Sequence, residues 1–288
     1  MTRFLLRAAL TLVLLLAGFA GFVAYRFHAL SVQRHDPPQF SIAAEVKAAD
    51  PLLGERIYAV RAGCIDCHGA DLSGTVVMEN GAMGVIHGAN ITPFNLGDWS
   101  DEDIARAIRY GLHRDGHSLR FMPSFDFAAL SKSDTAALIA YLRSVPAVPR
   151  PSHANTFGPI ARTLSVLGKM PVMFPAHVVD PTQGFAAKPE EGPTFAFGRY
   201  LAAACSGCHG EEYRGGPIPG GDPAWPPASA IRLGAEPVWT RDSFTTMINT
   251  GVSPVSGQAL RPPMPVHLLK QFNDDEVTAL WEYLKTLQ

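Results

Sequence analysis

The sequence predicts an all-α protein in which two tandem modules of one type follow an N-terminal apolar helix. A short cysteine–histidine motif occurs twice, 141 positions apart, and the spacing of the residues around it repeats. Around the motifs, apolar residues recur at helical intervals, whereas strand patterns of comparable quality are not visible in the sequence. With 288 residues, the chain is long enough for two domains of roughly 100 residues each and a tail.

The composition excludes a disordered chain and argues against a nucleic-acid-binding protein. Hydrophobic residues make up 47% of the chain and charged residues 17%, unlike a disordered polyelectrolyte. The 24 Lys and Arg residues are balanced by 26 Asp and Glu residues, so the net charge is −2. Proteins that bind nucleic acids usually need a strong basic excess, and we therefore expect no nucleic-acid partner.

Residues 1–28 are predicted to be a signal-anchor or a signal peptide. The run from Ala8 to Tyr25 has 18 residues without a charge, near the lower limit for a helix that crosses a bilayer. Arg3 and Arg7 precede it, which keeps the N-terminus cytoplasmic and exports the rest. An uncleaved anchor is favoured, with the domains in the periplasm at the inner membrane. Cleavage at Gly18-Phe19-Ala20 would instead give a soluble periplasmic protein.

The rest of the chain divides into a tether, two domains and a linker. The tether is expected to hold the domains away from the membrane, because Asp36-Pro37-Pro38 discourages a helix. The linker can form a short helix at Ile160–Met170, and an ordered filling of the domain junction is favoured over packing against a membrane or a partner. The expected boundaries are 29–50 for the tether, 51–149 for domain 1, 150–192 for the linker and 193–288 for domain 2.

The two motifs, Cys64-Ile65-Asp66-Cys67-His68 and Cys205-Ser206-Gly207-Cys208-His209, share the pattern C-x-x-C-H. This is the attachment motif of c-type haem. Two thiols three positions apart on a helical turn face one side and can add to the two vinyl groups of one porphyrin, and the next histidine can bind the iron. The sequence therefore predicts two covalently bound haem c groups, with these thioether and proximal iron-ligand residues: Cys64, Cys67, Cys205, Cys208, His68 and His209.

Other uses of a C-x-x-C pair are less consistent with the pattern. A thioredoxin-like redox pair would need a βαβ context, which surrounds neither motif. A closed zinc site would need a second cysteine pair in each module. Disulfides are conceivable outside the cytosol, but cysteines three positions apart usually serve another purpose.

A methionine follows each motif at a matched position. Met122 stands 58 positions after Cys64, Met264 stands 59 positions after Cys205, and a proline follows each methionine. A haem that only transfers electrons has both axial positions filled, and a Met–His pair raises its potential. Met122 and Met264 are therefore predicted as the distal ligands. Other candidates lack a counterpart in the second module, fall on an apolar helix face or lie at the surface: Met78, Met83, His87, Met247 and His267.

Each module is expected to consist of helices with long loops. Asn273 followed by Glu276 fits a capping box, and Ser131 or Ser133 can cap the last helix of the first module. The expected helices are Leu52–Arg61, Asp101–Tyr110 and Ser133–Ser144 in the first module, and Phe197–Ala204, Thr240–Thr250 and Asp274–Leu287 in the second.

The residues of both modules resemble those of the class I c-type cytochromes. The resemblance is to membrane-anchored diheme cytochromes, and the modules are similar to domains in the cytochrome c subunits of bacterial membrane-bound alcohol and gluconate dehydrogenases. It covers roughly 51–149 and 193–288. The segments that carry it are Ala89-Asn90-Ile91-Thr92-Pro93, Trp99-Ser100-Asp101-Glu102-Asp103-Ile104, Met122-Pro123-Ser124 and Ala137–Ser144 in the first module, and Met264-Pro265 and Ala279–Leu284 in the second.

The resemblance implies further residues around the haems. Asn90 and Trp99 are expected near the haem propionates of the first module, and Trp239 in the equivalent place in the second. Such subunits usually carry three haems, whereas this sequence has two motifs. They also tend to place a proline after the proximal histidine, whose carbonyl orients the imidazole. Pro217 is the candidate in the second module, and the first has none between His68 and Pro93.

These features predict an electron carrier with no catalytic residues of its own. It would take single electrons from a membrane or periplasmic dehydrogenase, or from a quinol-oxidising complex, and pass them to an oxidase or a soluble cytochrome. A cytochrome subunit of an oxidoreductase is favoured over an enzyme acting by itself. The alternative is a diheme redox enzyme, peroxidase-like or thiosulfate-oxidising, in which one haem ligand exchanges. A structural protein with zinc or disulfides is a third hypothesis.

Overall fold

The structure is a computed structural model that describes residues 2–219, 221 and 225–288. A π-helical turn spans Ile57–Arg61, and a 3-10 turn spans Ala203–Cys205. The α-helices in chain order are α1 (Thr2–Val32), α2 (Ala43–Ala48), α3 (Pro51–Arg56), α4 (Ile65–His68), α5 (Pro93–Leu96), α6 (Asp101–Tyr110), α7 (Ser124–Phe127), α8 (Lys132–Ser144), α9 (Pro159–Val166), α10 (Phe195–Ala202), α11 (Ser206–His209), α12 (Arg241–Thr250), α13 (Val266–Leu269) and α14 (Asp274–Leu284).

Each module is built on a close crossing between the helix before its motif and its last helix. In the first module α3 meets α8, and in the second α10 meets α14. A β-carbon at Gly54 would overlap the carbonyl oxygen of Ala137 and lie 2.7 Å from Cβ of Tyr141. A β-carbon at Gly198 would overlap the carbonyl of Ala279 in the same way. Only glycine permits this approach, so the two modules share one helix-packing solution.

The helix ends follow the signals in the sequence. The hydroxyl of Ser100 accepts from the backbone N–H of Asp103 and closes a capping box at α6, and Thr240 does the same at α12. The expected capping box of Asn273 and Glu276 is confirmed at α14, and Ser131 caps α8. The expected bounds of the helix at Asp101–Tyr110 are also confirmed. These caps fix where each helix starts and therefore which residues face the core.

Each module has its own apolar core. The residues that are buried in the first core include Ile42, Ile57, Tyr58, Leu72, Ile104, Ile108, Phe127, Leu138, Ile139 and Leu142. Those of the second core include Phe197, Leu201, Tyr213, Leu233, Phe244, Ile248, Val277, Leu280 and Leu284. Cys64, Trp99 and Met122 pack against the first core, and Cys205 and Trp239 against the second. Two helical cores are consistent with the predicted tandem arrangement.

The all-α expectation is incomplete, because the first module carries a small antiparallel sheet. Its strands are β1 (Val76–Asn80), β2 (Gly84–His87) and β3 (Thr156–Phe157), in the order β1-β2-β3. Asn80 pairs with Gly84 across the turn, and Gly84 pairs with Phe157 on its other side. The loop between β1 and β2 has three residues, Gly81 to Met83, and a glycine in so short a connection is a hairpin signal in the sequence. The third strand comes from the linker and has no local signal.

Residues of the expected tether, 29–50, pack against the first module. The helix α1 continues to Val32, and the following residues pack on the first module. Ile42 is fully buried in its core, and its backbone N–H donates to the carboxylate of Glu102 at 3.0 Å. Nε of Arg106 donates to the carbonyl of Pro38 at 2.9 Å. The chain from 33 to 42, which contains Pro37 and Pro38, is not helical, and it contacts α6.

Charged side chains join the two modules. Glu276 of α14 is fully buried and accepts from Nε of Arg56 at 3.1 Å and from Nε of Arg61 at 2.7 Å. Arg61 also pairs with Glu191 of the linker at 2.6 Å. The hydroxyl of Tyr200 donates to the buried carboxylate of Asp134 at 2.6 Å. The Glu276 pairs link the start of the first module to the end of the second, and the Tyr200–Asp134 pair links the last helix of the first module to the start of the second.

Candidate haem sites

Both motif histidines point one ring nitrogen at a backbone carbonyl. Nδ1 of His68 donates to the carbonyl of Ala89 at 2.8 Å, and Nδ1 of His209 donates to the carbonyl of Ser229 at 2.7 Å. A carbonyl only accepts, so the hydrogen sits on Nδ1 and the lone pair on Nε2. Burial lowers the pKa of both imidazoles, which keeps them neutral. Each histidine therefore keeps the lone pair of Nε2 for another partner, as a metal-binding imidazole would.

The carbonyl group that accepts from the histidine differs from the expected one in the second module. In the first module the structure identifies this group, for which the sequence offered no candidate. Pro217 is not the partner of His209, because Ser229 occupies that role. The first module uses Ala89 in the equivalent place, 21 positions after its histidine against 20 in the second. The N–H groups of Ile91 and Ile231, two residues later, both bond back to the chain just after the motif. The orienting group thus depends on loop geometry rather than on proline.

The turn after each motif has the same backbone conformation. Gly69 and Gly210 follow the histidines with φ of 78° and 79°. The N–H of Gly74 donates to the carbonyl of His68 at 2.9 Å, and the N–H of Gly215 donates to that of His209 at 2.9 Å. Positive φ favours glycine, so the sequence C-x-x-C-H-G forces the chain back across the motif in both modules.

In the first module the motif opens onto a mostly apolar cavity of about 330 Å³. Cys64, His68 and Met122 all line it, as do Asn90 and Trp99. Its other lining residues include Tyr58, Ile91, Leu96, Ile104, Ile108, Leu119, Phe127, Leu138 and Leu142. A thiol, a free imidazole nitrogen and a thioether in one apolar cavity are the groups that a covalently attached, six-coordinate haem uses. The residues present therefore fit a haem.

The two methionines lie in turns of matching shape. The N–H groups of Ser124 and Val266, two residues after each methionine, donate to the methionine carbonyl at 2.9 Å. The intervening prolines have φ and ψ of −81° and 55° in the first module and −82° and 63° in the second. Met264 is half-buried. The methionine of the second module therefore lies in a turn of the same backbone conformation as that of the first. Residues 220 and 222–224, in the loop between the second motif and Met264, are outside the described part.

The four cysteines are free, with no disulfide among the described residues. Burial raises the pKa of Cys64 to about 12 and that of Cys67 to about 11. It raises the pKa of Cys205 to about 12 and also that of Cys208. Thiols with such pKa values stay protonated and do not act as reactive thiolates. Within residues 2–219, 221 and 225–288, no group of three or more His, Cys, Asp or Glu side chains is arranged to hold a metal ion.

Asn90 reaches the cavity but uses its side chain elsewhere. Its Nδ2 donates to the carbonyls of Val148 at 3.0 Å and Arg150 at 2.6 Å. Its Oδ1 accepts from both the N–H and the hydroxyl of Thr92, at 2.9 and 2.7 Å. The amide therefore holds the start of the linker beside the cavity.

The two tryptophans have different surroundings. Trp99 lines the cavity of the first module. Its ring is nearly perpendicular to that of His113, with 4.8 Å between the ring centroids. Trp239 lines a groove of about 500 Å³ together with Trp281 and Lys285. His209 is not among the residues that line this groove. The expected equivalence of Trp99 and Trp239 around a haem remains a prediction.

Two contacts between the modules were not expected from the sequence. Nε2 of His267 lies 2.7 Å from the carboxylate of Asp66, inside the first motif. A β-carbon at Gly207, inside the second motif, would lie 2.7 Å from Cγ of Asp126. Burial raises the pKa of Asp126 to about 7. Each motif thus touches the short helix that follows the methionine of the other module, and no local sequence signal could have paired them.

Comparison with known protein families agrees with two separate modules. The family model "Cytochrome c" matches residues 196–288. The family model "Cytochrome C oxidase, cbb3-type, subunit III" matches residues 49–142. Both matches include one complete motif, its histidine and the methionine that follows.

Curated relatives align with both modules at once. The gluconate 2-dehydrogenase cytochrome c subunit of Pantoea cypripedii is 28% identical over 86% of this chain and 62% of its own length. The cytochrome c subunit of the quinone alcohol dehydrogenase of Gluconacetobacter polyoxogenes is 28% identical over 86% and 58%. The corresponding cytochrome c subunit of Gluconobacter oxydans is 28% identical over 85% and 57%.

The chain spans about three fifths of the length of these relatives. Domain matches on both modules and similarity over most of the chain lead to one conclusion. The protein has cytochrome c domains and is homologous to the cytochrome c subunits of gluconate and quinone alcohol dehydrogenases.

Proposed function

We propose that the protein is a diheme electron carrier that serves a dehydrogenase. Cys64 and Cys67 would hold one haem c and Cys205 and Cys208 the other, with iron ligands His68 and Met122, and His209 and Met264. Electrons would come from a membrane or periplasmic dehydrogenase or a quinol-oxidising complex and leave to an oxidase or a soluble cytochrome. The observation that carries the proposal is the pair of motif histidines whose Nδ1 atoms are bound to carbonyls.

The protein orients the histidine of each site through its own backbone. The carbonyls of Ala89 and Ser229 fix the tautomer and the ring orientation of the two imidazoles. Burial keeps both rings neutral, so Nε2 need not lose a proton before it binds a metal. When bound, each haem iron supplies one-electron oxidation and reduction.

A ligand set of His and Met on both faces would leave no coordination position for a substrate. Met122 lies in the same cavity as His68 and Cys64, on a turn stiffened by Pro123. The mostly apolar lining of this cavity would limit the contact of a bound haem with water, which would raise its potential. These features support electron transfer over a haem enzyme with an exchangeable ligand.

We also propose that α1 anchors the protein in the inner membrane with both modules in the periplasm. Among the described residues, α1 is the helix that is long and apolar enough to cross a bilayer, with a mean hydropathy of 2.2 over its best window. Only 6% of that window is buried against the rest of the protein. Arg3 and Arg7 at its start favour a cytoplasmic N-terminus.

The test is a haem count with two ligand variants and a matched control. Purified full-length protein should contain two covalent haems per chain by the pyridine haemochrome assay. Its oxidised spectrum should show a methionine-to-iron charge-transfer band. Met122→Ala should lose part of this band and bind cyanide at one haem, and Met264→Ala should do the same at the other. Met78→Ala, on β1, should leave the spectrum unchanged.

Three outcomes would contradict the proposal. Colourless protein would exclude haem attachment. A Met78→Ala variant that lost the band would show that the ligand was misassigned. Unmodified protein that bound cyanide readily and turned over a peroxide or thiosulfate without a partner would favour the diheme redox enzyme.

A further inference from the structure

The short helix α9 of the linker packs against the C-terminal part of α1. Val23 and Phe27 are the two residues of α1 that are buried, with 6% and 8% exposure. Phe27 lies in one apolar cluster with Ala161 of α9 and with Phe174, whose ring centroid is 5.2 Å away. The linker therefore does more than connect the two modules, because it forms the surface on which the end of α1 packs. We call this surface the α1 seat.

Polar contacts fix this seat at the end of α1. Nη2 of Arg120 donates to the carbonyl of Ser31 at 3.1 Å. Nε2 of His177 lies 3.2 Å from the carbonyl of Leu30. These groups satisfy carbonyls that the last turn of a helix leaves without partners. The height of the first module and the linker along α1 is thus set by specific contacts.

That height coincides with the end of the uncharged part of α1. The run from Ala8 to Tyr25 is about 27 Å long at 1.5 Å per residue, close to the roughly 30 Å of a hydrocarbon core. Val23 and Phe27 lie on either side of its last residue, and Arg26 and His28 are exposed beside them. If α1 spans the bilayer, α9 lies at the level of the outer headgroups.

The free surface next to α1 has the chemistry of a membrane interface. It exposes apolar side chains at Ile160 (47%), Leu167 (54%) and Val178 (53%). Lys169 is exposed on the same segment, and Arg162 is also exposed but turns towards α1, where its guanidinium lies 5.5 Å from the ring centroid of Phe27. The sequence has no acidic residue from position 135 to 179, although the whole chain has 26. Apolar and basic residues without acidic ones are typical of helices that lie in the headgroup region and attract anionic lipids.

We infer that this linker face, formed by Ile160, Leu167, Lys169 and Val178, lies against the outer surface of the bilayer. The inference rests on the proposed anchoring of α1. The apolar side chains enter the boundary between headgroups and acyl chains, and Lys169 contacts lipid phosphates. A single helix would let the domains rotate about it, whereas this second contact fixes the side of the first module that faces the membrane.

The same linker is hydrogen-bonded to the wall of the cavity in the first module. Its strand β3 pairs with β2, and the carbonyls of Val148 and Arg150 are held by Asn90 at the cavity. The linker face, the sheet and the cavity wall are therefore continuous through hydrogen bonds. The consequence is a fixed side of the first haem site that partners in or on the membrane can approach.

The experiment places a photoreactive benzophenone side chain at single positions of the full-length haem-containing protein. The protein is reconstituted in vesicles of phosphatidylcholine and phosphatidylglycerol, irradiated and analysed by mass spectrometry. Benzophenone in place of Leu167 or Ile160 should form adducts with lipid. Benzophenone in place of Val255, which is 57% exposed in the second module, is the matched control and should give severalfold less. Benzophenone in place of Leu14 reports on α1 itself.

Each result decides the inference. Lipid adducts at Leu167 and Ile160 above those at Val255 support it, and reversal of the charge in Lys169→Glu should reduce them. Lipid adducts at Leu14 but not at Leu167 or Ile160 overturn it while leaving the anchor intact. Absence of adducts at Leu14 overturns the anchor and this inference together, whereas the haem spectrum of the same sample tests the electron-carrier proposal separately. Protein adducts at Leu167 in native membranes, without lipid adducts, would assign the face to a membrane partner instead.

Discussion

Glu276 offers the most direct test of how the two modules are joined. Its carboxylate is fully buried at the start of α14 and accepts from Arg56 and Arg61 of the first module. It also accepts from the backbone N–H of Asn273 at 2.9 Å, which closes the capping box. Glu276→Gln keeps the shape of the side chain but replaces one carboxylate oxygen, an acceptor, by an amide NH2 group, a donor. This donor faces the guanidinium donors of Arg56 and Arg61. The side chain of Arg61, 7% exposed, then loses one of its two carboxylate partners.

The expected cost follows from the burial of the pair. Removing one partner of a buried ion pair typically costs about 3–5 kcal/mol because the other charge stays desolvated. Arg61 keeps Glu191, and the side chain of Arg56 is 31% exposed, so we expect the lower end, about 3 kcal/mol. At about 2–4 °C per kcal/mol for a protein of this size, the Tm should fall by about 6–12 °C. Thermal unfolding followed by circular dichroism in detergent measures this.

A matched control separates burial from charge. Glu282 of α14 pairs with Lys285 at 2.7 Å, but both side chains are more than a third exposed. Glu282→Gln should therefore change the free energy of unfolding by less than about 0.5 kcal/mol. In Arg61→Met/Glu276→Gln the two changes should cost less than their sum, because the unpaired charge is gone. Equal Tm values for Glu276→Gln and Glu282→Gln would refute the reasoning.

Two further predictions concern the helix crossing and the second motif. Gly198→Ala should lower the free energy of unfolding by about 3 kcal/mol or more, because a β-carbon there overlaps the carbonyl of Ala279 and the backbone cannot rotate away. Gly184→Ala, with open space around it, is the control and should be neutral in the same denaturant titration. The raised pKa of Asp126, about 7 in the folded protein, means that the folded state holds a proton that the unfolded chain releases near pH 4. This contribution to stability is complete below pH 4 and is lost as the pH rises through 7, so Asp126→Asn should raise the Tm at pH 8 and leave it unchanged at pH 4. The gain should be on the order of 2 kcal/mol because the carboxyl keeps partial access to solvent, and an equal gain at both pH values would contradict this origin.

Local signals in the sequence predicted much of the fold well. The helix at Asp101–Tyr110 has the expected bounds because a capping box starts it and Gly111 ends it with a left-handed φ of 61°. The helices beside the two motifs and the last helix of each module also occur close to their expected positions. Such elements depend on residues within a few positions of each other, so pattern and capping suffice.

Features that depend on contacts between distant residues are not predicted by the sequence. The strand β3 has only two residues, and it forms because β2, about 70 positions earlier, offers a free edge. The residues after α1 were expected to be a free tether, but Ile42 is buried because α6 and α8 provide an apolar surface for it. Ser229 rather than Pro217 orients His209, because the loop between them determines which carbonyl reaches the ring.

The sequence by itself determined the chemistry of this protein, since a C-x-x-C-H motif is complete within five residues and occurs twice with equal surroundings. The positions of the cysteines and histidines on one helical turn need no information from the rest of the chain. Only the tertiary structure decided which carbonyls orient the histidines, which charges join the modules and where the linker holds α1. Those contacts bring together residues far apart in sequence, and their partners are fixed by how the helices pack and by the paths of the loops.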